Sequence, residues 1–136
     1  MAEEVSPLDD LSIGNDARLI RALSRSKWIV DDGSGGLRPA SGGFQDVTDA
    51  EGVKGMSVFM EDVLTELGLD HTAVQVEFNE HALVVITAGL VRECGLGVVR
   101  APRPGPAGPA HAHVIGKKTP GKQNRLARDC ERLVWP

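Results

Sequence analysis

Four prolines and two glycines fall within residues 101–110, and neither a helix interior nor a central strand can run through such a segment. Residues 101–110 are therefore a loop or an extended arm, and they separate a long front piece from a short tail that begins at His111. With 136 residues, close to the commonest single-domain size, the two pieces have to share one core. Tyr is absent and aromatics make up only 4%, so that core is aliphatic, chiefly Val, Leu, Ile and Ala. One domain is expected over residues 15–136, preceded by a mobile acidic segment at 1–14 that shows no apolar period.

Apolar spacing divides the front piece into short elements. Asn15 or Asp16 as a cap, with Leu19, Ile20 and Leu23 behind it, predicts a first helix carrying Arg18, Arg21 and Arg25 on another side. Trp28, Ile29 and Val30 predict a strand. The glycine-rich run 33–43 reads as a loop anchored by Phe44, and residues 56–60 as a further strand. Met60, Val63, Leu64 and Leu67 stand at i, i+3, i+4 and i+7, the clearest helical face in the chain, stopped by Gly68. Val74, Val76 and Phe78 alternate with Gln75 and Glu77 as in a half-buried strand, and 83–86 reads as a fully buried one. Thr87 caps a short helix running to Cys94, and Val98-Val99 is a strand. In the tail, 111–115 is a strand, and Thr119 followed by Pro120 opens a last helix with a core stripe of Leu126, Ala127, Cys130, Leu133 and Val134. About five short strands and about four helices, without strict β–α–β alternation, imply an α+β fold in which helices pack on a mixed sheet.

Charge is spread unevenly. Residues 1–70 hold 14 acidic against 6 basic residues, whereas residues 71–136 hold 5 against 9. Lys117, Lys118, Lys122, Arg125, Arg128 and Arg132 all lie in the last twenty positions. Such a tail invites an anionic partner; alternatively the two halves neutralise each other by packing together. The longest largely apolar run, 82–91, is too short to cross a bilayer, so no membrane partner is expected. The acidic start lacks the basic and apolar regions of a secretory signal. Cys94 and Cys130 are far apart and are expected as reduced, buried thiols. These features together predict a cytoplasmic protein.

Three constellations could carry chemistry. The first, residues 116–122, matches G-x-x-x-x-G-K, but Gln123 stands where a phosphate-binding loop needs Ser or Thr for its metal. Only thirteen residues follow, and Pro120 removes one of the N–H groups that would cradle phosphate, so the nucleotide-hydrolase reading fails. What survives is a helix start surrounded by Lys117, Lys118 and Lys122, with the Thr119 hydroxyl beside it, as a binding place for a phosphate or another anion. The second is His111-Ala112-His113, which puts two imidazoles on one side of a strand, spaced for acid–base work on a phosphodiester. No third residue stands at metal-ligand spacing, so neither a metal nor any other cofactor is expected. The third is the Arg38–Ser41 loop, where a guanidinium fork and a hydroxyl could grip a carboxylate or phosphate. Each has a plain alternative: a solvated basic helix start, two half-exposed strand histidines, and an ordinary turn. Basic residues are not interleaved with aromatics, which leaves nucleic acid as a partner without a stacking platform.

The leading expectation is a small interaction or accessory protein that engages an anionic or protein partner through its basic C-terminal strand, loop and helix. The alternative is a small enzyme with His111 and His113 as acid and base, and Arg38, Lys117 and Lys118 holding phosphate. An enzyme has to gather these residues around one concave pocket; a binding module can spread them.

Overall fold

The computed structural model describes residues 8–48 and 54–136. Its strands are β1 Arg18–Ser24, β2 Ile29–Asp31, β3 Leu37–Pro39, β4 Val47–Thr48, β5 Lys54–Met60, β6 His81–Thr87, β7 Gly97–Arg100, β8 His111–Ile115 and β9 Glu131–Val134. The helices are α1 Arg25–Trp28, α2 Glu61–Glu66, α3 His71–Glu77, α4 Ala88–Glu93 and α5 Pro120–Asp129. The main sheet runs β7-β8-β5-β1-β6-β9, with β4 pairing the start of β5, while β2 and β3 form a separate hairpin. The fold is α+β, as expected. Every pairing among the described strands is antiparallel, however, so the sheet is not mixed.

Side chains alternate across a strand, and β5 shows the consequence. Met56, Val58 and Met60 enter one apolar cluster, with Ala88 and Val91 of α4 and Leu126 of α5. Phe59 enters the cluster on the other face, with Leu64 of α2, Val74 of α3, and Ala107 and Ala110 from the proline segment. Residues 101–110 are therefore no free arm: Ala107 and Ala110 are buried.

Four expectations are corrected. Residues 18–24 form the central strand β1 rather than a first helix. Leu19 and Leu23 face one cluster and Ile20 the other, and a strand buried on both sides gives the same i, i+1, i+4 spacing as a short helix. Residues 71–77 are helix α3 rather than a strand, because the Asp70 carboxylate accepts the Thr72 N–H at 2.9 Å and caps the first turn. Val76, which the alternation would bury, is 81% exposed. The last helix stops at Asp129; Cys130 turns extended, and the chain pairs with β6 as edge strand β9. On α2, Val63 and Leu64 pack inward as expected, whereas Leu67 lies beyond the helix and is 45% exposed. In contrast, Thr87 accepts the Leu90 N–H and Thr119 the Lys122 N–H, both in the expected capping positions.

Of the acidic segment 1–14, residues 1–7 lie outside the described residues. Residues 8–10 lie along the edge of β7, Asp9 pairs with Arg92 of α4 at 3.0 Å, and Ile13 beyond them is buried in the core. None of the described helices is long and apolar enough to cross a membrane.

Candidate functional site

The C-terminal helix does bring sequence-predicted residues into a cleft, but at its far end. A cavity of about 290 Å³ opens between Arg38 and Ser41 on one side and Asn124, Arg128 and Arg132 on the other, with Cys130 in its wall. Each wall has a distinct support. Arg38 sits in the β2–β3 hairpin, where Val30 pairs with it. Ser41 begins a turn of 3-10 helix over Ser41–Gly43, pinned when the Ala40 N–H donates to Trp28 O at 2.7 Å. That turn is also held from beneath: Arg21 Nε and Nη2 donate to Gly43 O at 3.2 and 2.9 Å, and Phe44 is fully buried as the expected anchor. Asn124, Ala127 and Arg128 follow at i, i+3 and i+4 on one face of α5.

The three arginines of the cleft are committed to different degrees. Arg132 donates from Nη2 to Leu37 O at 2.9 Å and lies 4.3 Å over the Trp135 ring, which ties β9 to the hairpin. Arg128 is shared with its neighbour Asp129, at 2.9 and 3.1 Å. Arg38 is exposed, and its guanidinium makes no hydrogen bond or ion pair among the described residues. Burial pushes the Cys130 thiol up to about 11, so it stands there as a neutral thiol at neutral pH. Both cysteines are free.

The expected site at the start of α5 is dispersed. Lys118 was read as a ligand-binding lysine, but its side chain is only 3% exposed. Its ammonium lies 2.5 Å from Asp46 Oδ1 and donates to Val114 O at 2.6 Å and Gly116 O at 2.8 Å. Its charge is thus held between the Asp46 carboxylate and two backbone carbonyls rather than presented to solvent. Burial lowers the Lys118 pKa, with Asp46 opposing the shift. Lys122 turns away, its Nζ beside Gly95. Lys117 and the Lys118–Asp46 pair, with Lys54, Gln45 and Gln123, line a wider cavity of about 550 Å³. The Thr119 hydroxyl already serves as the helix cap.

The histidine pair is buried rather than half-exposed. His111 and His113 are 4% and 1% exposed, and their rings meet edge to face at 5.0 Å. Ala101 O lies 2.8 Å from His111 Nδ1, and Ser57 Oγ lies 2.6 Å from Nε2. Since the carbonyl can only accept, Nδ1 carries the proton and Nε2 accepts the Ser57 hydroxyl. His113 packs over Gly55, where an added Cβ would come within 2.7 Å of the His113 Cβ. Neither imidazole lines the Arg38 cleft or the Lys117 cavity.

Burial is the largest cause lowering the His111 pKa below its ordinary 6.5, and burial likewise lowers that of His81. The unfolded chain thus takes up more protons than the folded one as pH falls through 6.5, so stability is lost from there down to the folded-state values. Urea unfolding at about pH 7.5 and about pH 5 is expected to show that loss, and His111→Gln to flatten it. An unchanged pH dependence in His111→Gln would assign the acid sensitivity to another group.

The sequence reading missed Asn124 and placed Arg128 and Arg132 only in a general basic tail. Positions 124 and 128 are one helical turn apart, a signal that was available; that the chain re-enters the sheet at 131 was not. Among the described residues no group of three or more His, Cys, Asp or Glu side chains could hold a metal ion. The chain matches no protein-family model, no curated protein and no solved structure.

Proposed function

We propose that this protein is a small binding module that takes an anionic group of its partner in the cleft between the β2–β3 hairpin and the end of α5. The observation that carries this reading is the convergence of Arg38, Arg128 and Arg132 from three separate elements on one cavity, with Arg38 left unpaired. Arginine suits the task because its planar fork matches two oxygens of a phosphate or carboxylate at once. Ser41 and Asn124 add hydroxyl and amide donors. A volume of about 290 Å³ accommodates a phosphate or an acidic side chain and is small for a dinucleotide.

The dispersal of the other candidates supports a binding module over an enzyme. The histidines lie in the sheet, Lys117 and the Asp46-paired Lys118 line a second cavity, and Arg38 lies in the cleft, so among the described residues these acid, base and phosphate candidates do not share one pocket. The two free thiols suit a reducing compartment, and cytoplasmic residence is part of the proposal.

Titration calorimetry with inorganic phosphate, pyrophosphate and a phosphoserine peptide tests it. Arg38→Ala is expected to weaken the best of these by about tenfold, the loss of one charge-assisted contact. The melting temperature should stay within about 1 °C, since an exposed unpaired arginine contributes little to stability. Equal affinity of the variant and the parent chain would remove the cleft as the site.

A further inference from the structure

Residues 8–10 lie along the outer edge of β7, held by contacts unlike those of an ordinary neighbouring strand. The Asp10 N–H donates to Val98 O at 2.8 Å, and the Val98 N–H donates to Asp9 Oδ1 at 3.1 Å. A side-chain carboxylate thus fills the place of a strand carbonyl. Arg92 Nε lies 3.3 and 3.0 Å from the two Asp9 oxygens, and its Nη2 donates to Asp10 O at 3.1 Å. Arg92 Nη1 donates to Asn15 Oδ1 at 2.7 Å, and Arg100 Nε faces Asp10 Oδ2 at 3.4 Å. Gly97 makes the close approach possible: a Cβ at that position would lie 2.0 Å from Leu8 O, a backbone atom that cannot rotate away.

Leu8 and Leu11 add little to this attachment; the apolar anchor is Ile13, three residues beyond Asp10. Leu8 is 74% and Leu11 83% exposed. What holds residues 8–10 to the edge is the Asp10 backbone bond and two adjacent carboxylates, of which that of Asp10 also accepts the Ser12 N–H and hydroxyl. A peptide from another molecule can present the same chemistry.

We propose that the β7 edge is a docking site for an extended acidic segment of a partner protein, with two adjacent carboxylates read by Arg92 and Arg100, and that residues 8–10 occupy it in cis. Charge complementarity selects the partner: a neutral or basic strand would leave both guanidiniums facing no anion. A tethered occupant competes at an effective concentration on the order of millimolar, so docking in trans is inhibited by the chain itself. This site is separate from the Arg38 cleft and does not depend on it.

The full-length chain carrying Asp9→Asn and Asp10→Asn, with Asp10→Asn alone as the milder variant, tests the proposal by fluorescence anisotropy. The probe is a labelled peptide of residues 6–12, Ser-Pro-Leu-Asp-Asp-Leu-Ser. Both variants are expected to bind it at least about tenfold more tightly than the parent chain, with an affinity that falls as salt rises. A peptide with Asn at both acidic positions should bind none of them, and adding Gly97→Ala to the double variant should abolish binding by blocking the backbone approach. Equal binding by parent and variants, binding that survives Gly97→Ala, or no binding by either variant overturns the proposal.

Discussion

Lys118→Ala is expected to lower the unfolding free energy by about 2–4 kcal/mol, the cost of leaving the partly buried Asp46 carboxylate and two carbonyls without their cation. The reason lies in how the 43–46 loop is attached. Asp46 is paired with Lys118, whose ammonium also caps the carbonyls at the end of β8. Arg21, 9% exposed, holds Gly43 O and donates to Ser57 O at 2.9 Å. Burial lowers the Arg21 pKa to about 10, and the nearby Asp46 opposes the shift. Asp46 therefore serves two buried cations, so Asp46→Ala should destabilise at least as much as Lys118→Ala. Lys122→Ala provides the contrast, because it removes no such partner and should stay within about 0.5 kcal/mol. Urea unfolding of the three variants checks the order. A Lys118→Ala chain as stable as the parent would show that the ammonium is solvated and the loop held by other means.

Leu64→Ala should lose about 2–5 kcal/mol, whereas Leu67→Ala, three residues on, should lose less than about 0.5. Leu64 is fully buried between α2 and the sheet, in the cluster with Phe59 and Val74. Truncating it removes transfer energy and leaves a cavity that the β-sheet backbone cannot collapse to fill. Leu67 caps the C-terminus of α2 and is 45% exposed. Similar losses at the two positions would mean that the helix continues beyond Glu66 and turns Leu67 inward.

These contrasts also show where the fold was legible in the sequence. Capping chemistry was local, so Thr87 and Thr119 could be placed with no knowledge of the rest of the chain. The buried strand at 83–86 announced itself by a run of β-branched residues. What could not be read was burial from two sides at once: Leu19, Ile20 and Leu23 form a helical stripe only if Arg21 is assumed to face solvent. Instead Arg21 points into the Leu19 and Leu23 face and finds a carbonyl partner in the Ser41–Gly43 turn. Similarly, Val74, Val76 and Phe78 give a period of two over five residues, too short to outweigh the Asp70 cap.

The candidate site was legible in pieces. Arg38 and Ser41 were recognised by residue type, and the basic tail by charge. Their meeting depends on β9 returning beside β6, a long-range pairing that no local signal encodes. Packing of the acidic front half against the basic back half, the plainer of the two charge readings, is realised at Lys118–Asp46, Arg92–Asp9 and Arg100–Asp10, while Arg18 and Glu131 reverse the sign between the halves.

Backbone amide chemical shifts recorded as pyrophosphate is added, to about 10 mM at low salt, test the central claim most directly. Shifts concentrated at Ser41, Asn124, Ala127, Arg128 and Arg132 are expected, and in Arg38→Ala they should need about tenfold more pyrophosphate to reach the same size. Shifts centred instead on Lys54, Lys117 and Gly121, or none anywhere at that concentration, would contradict it.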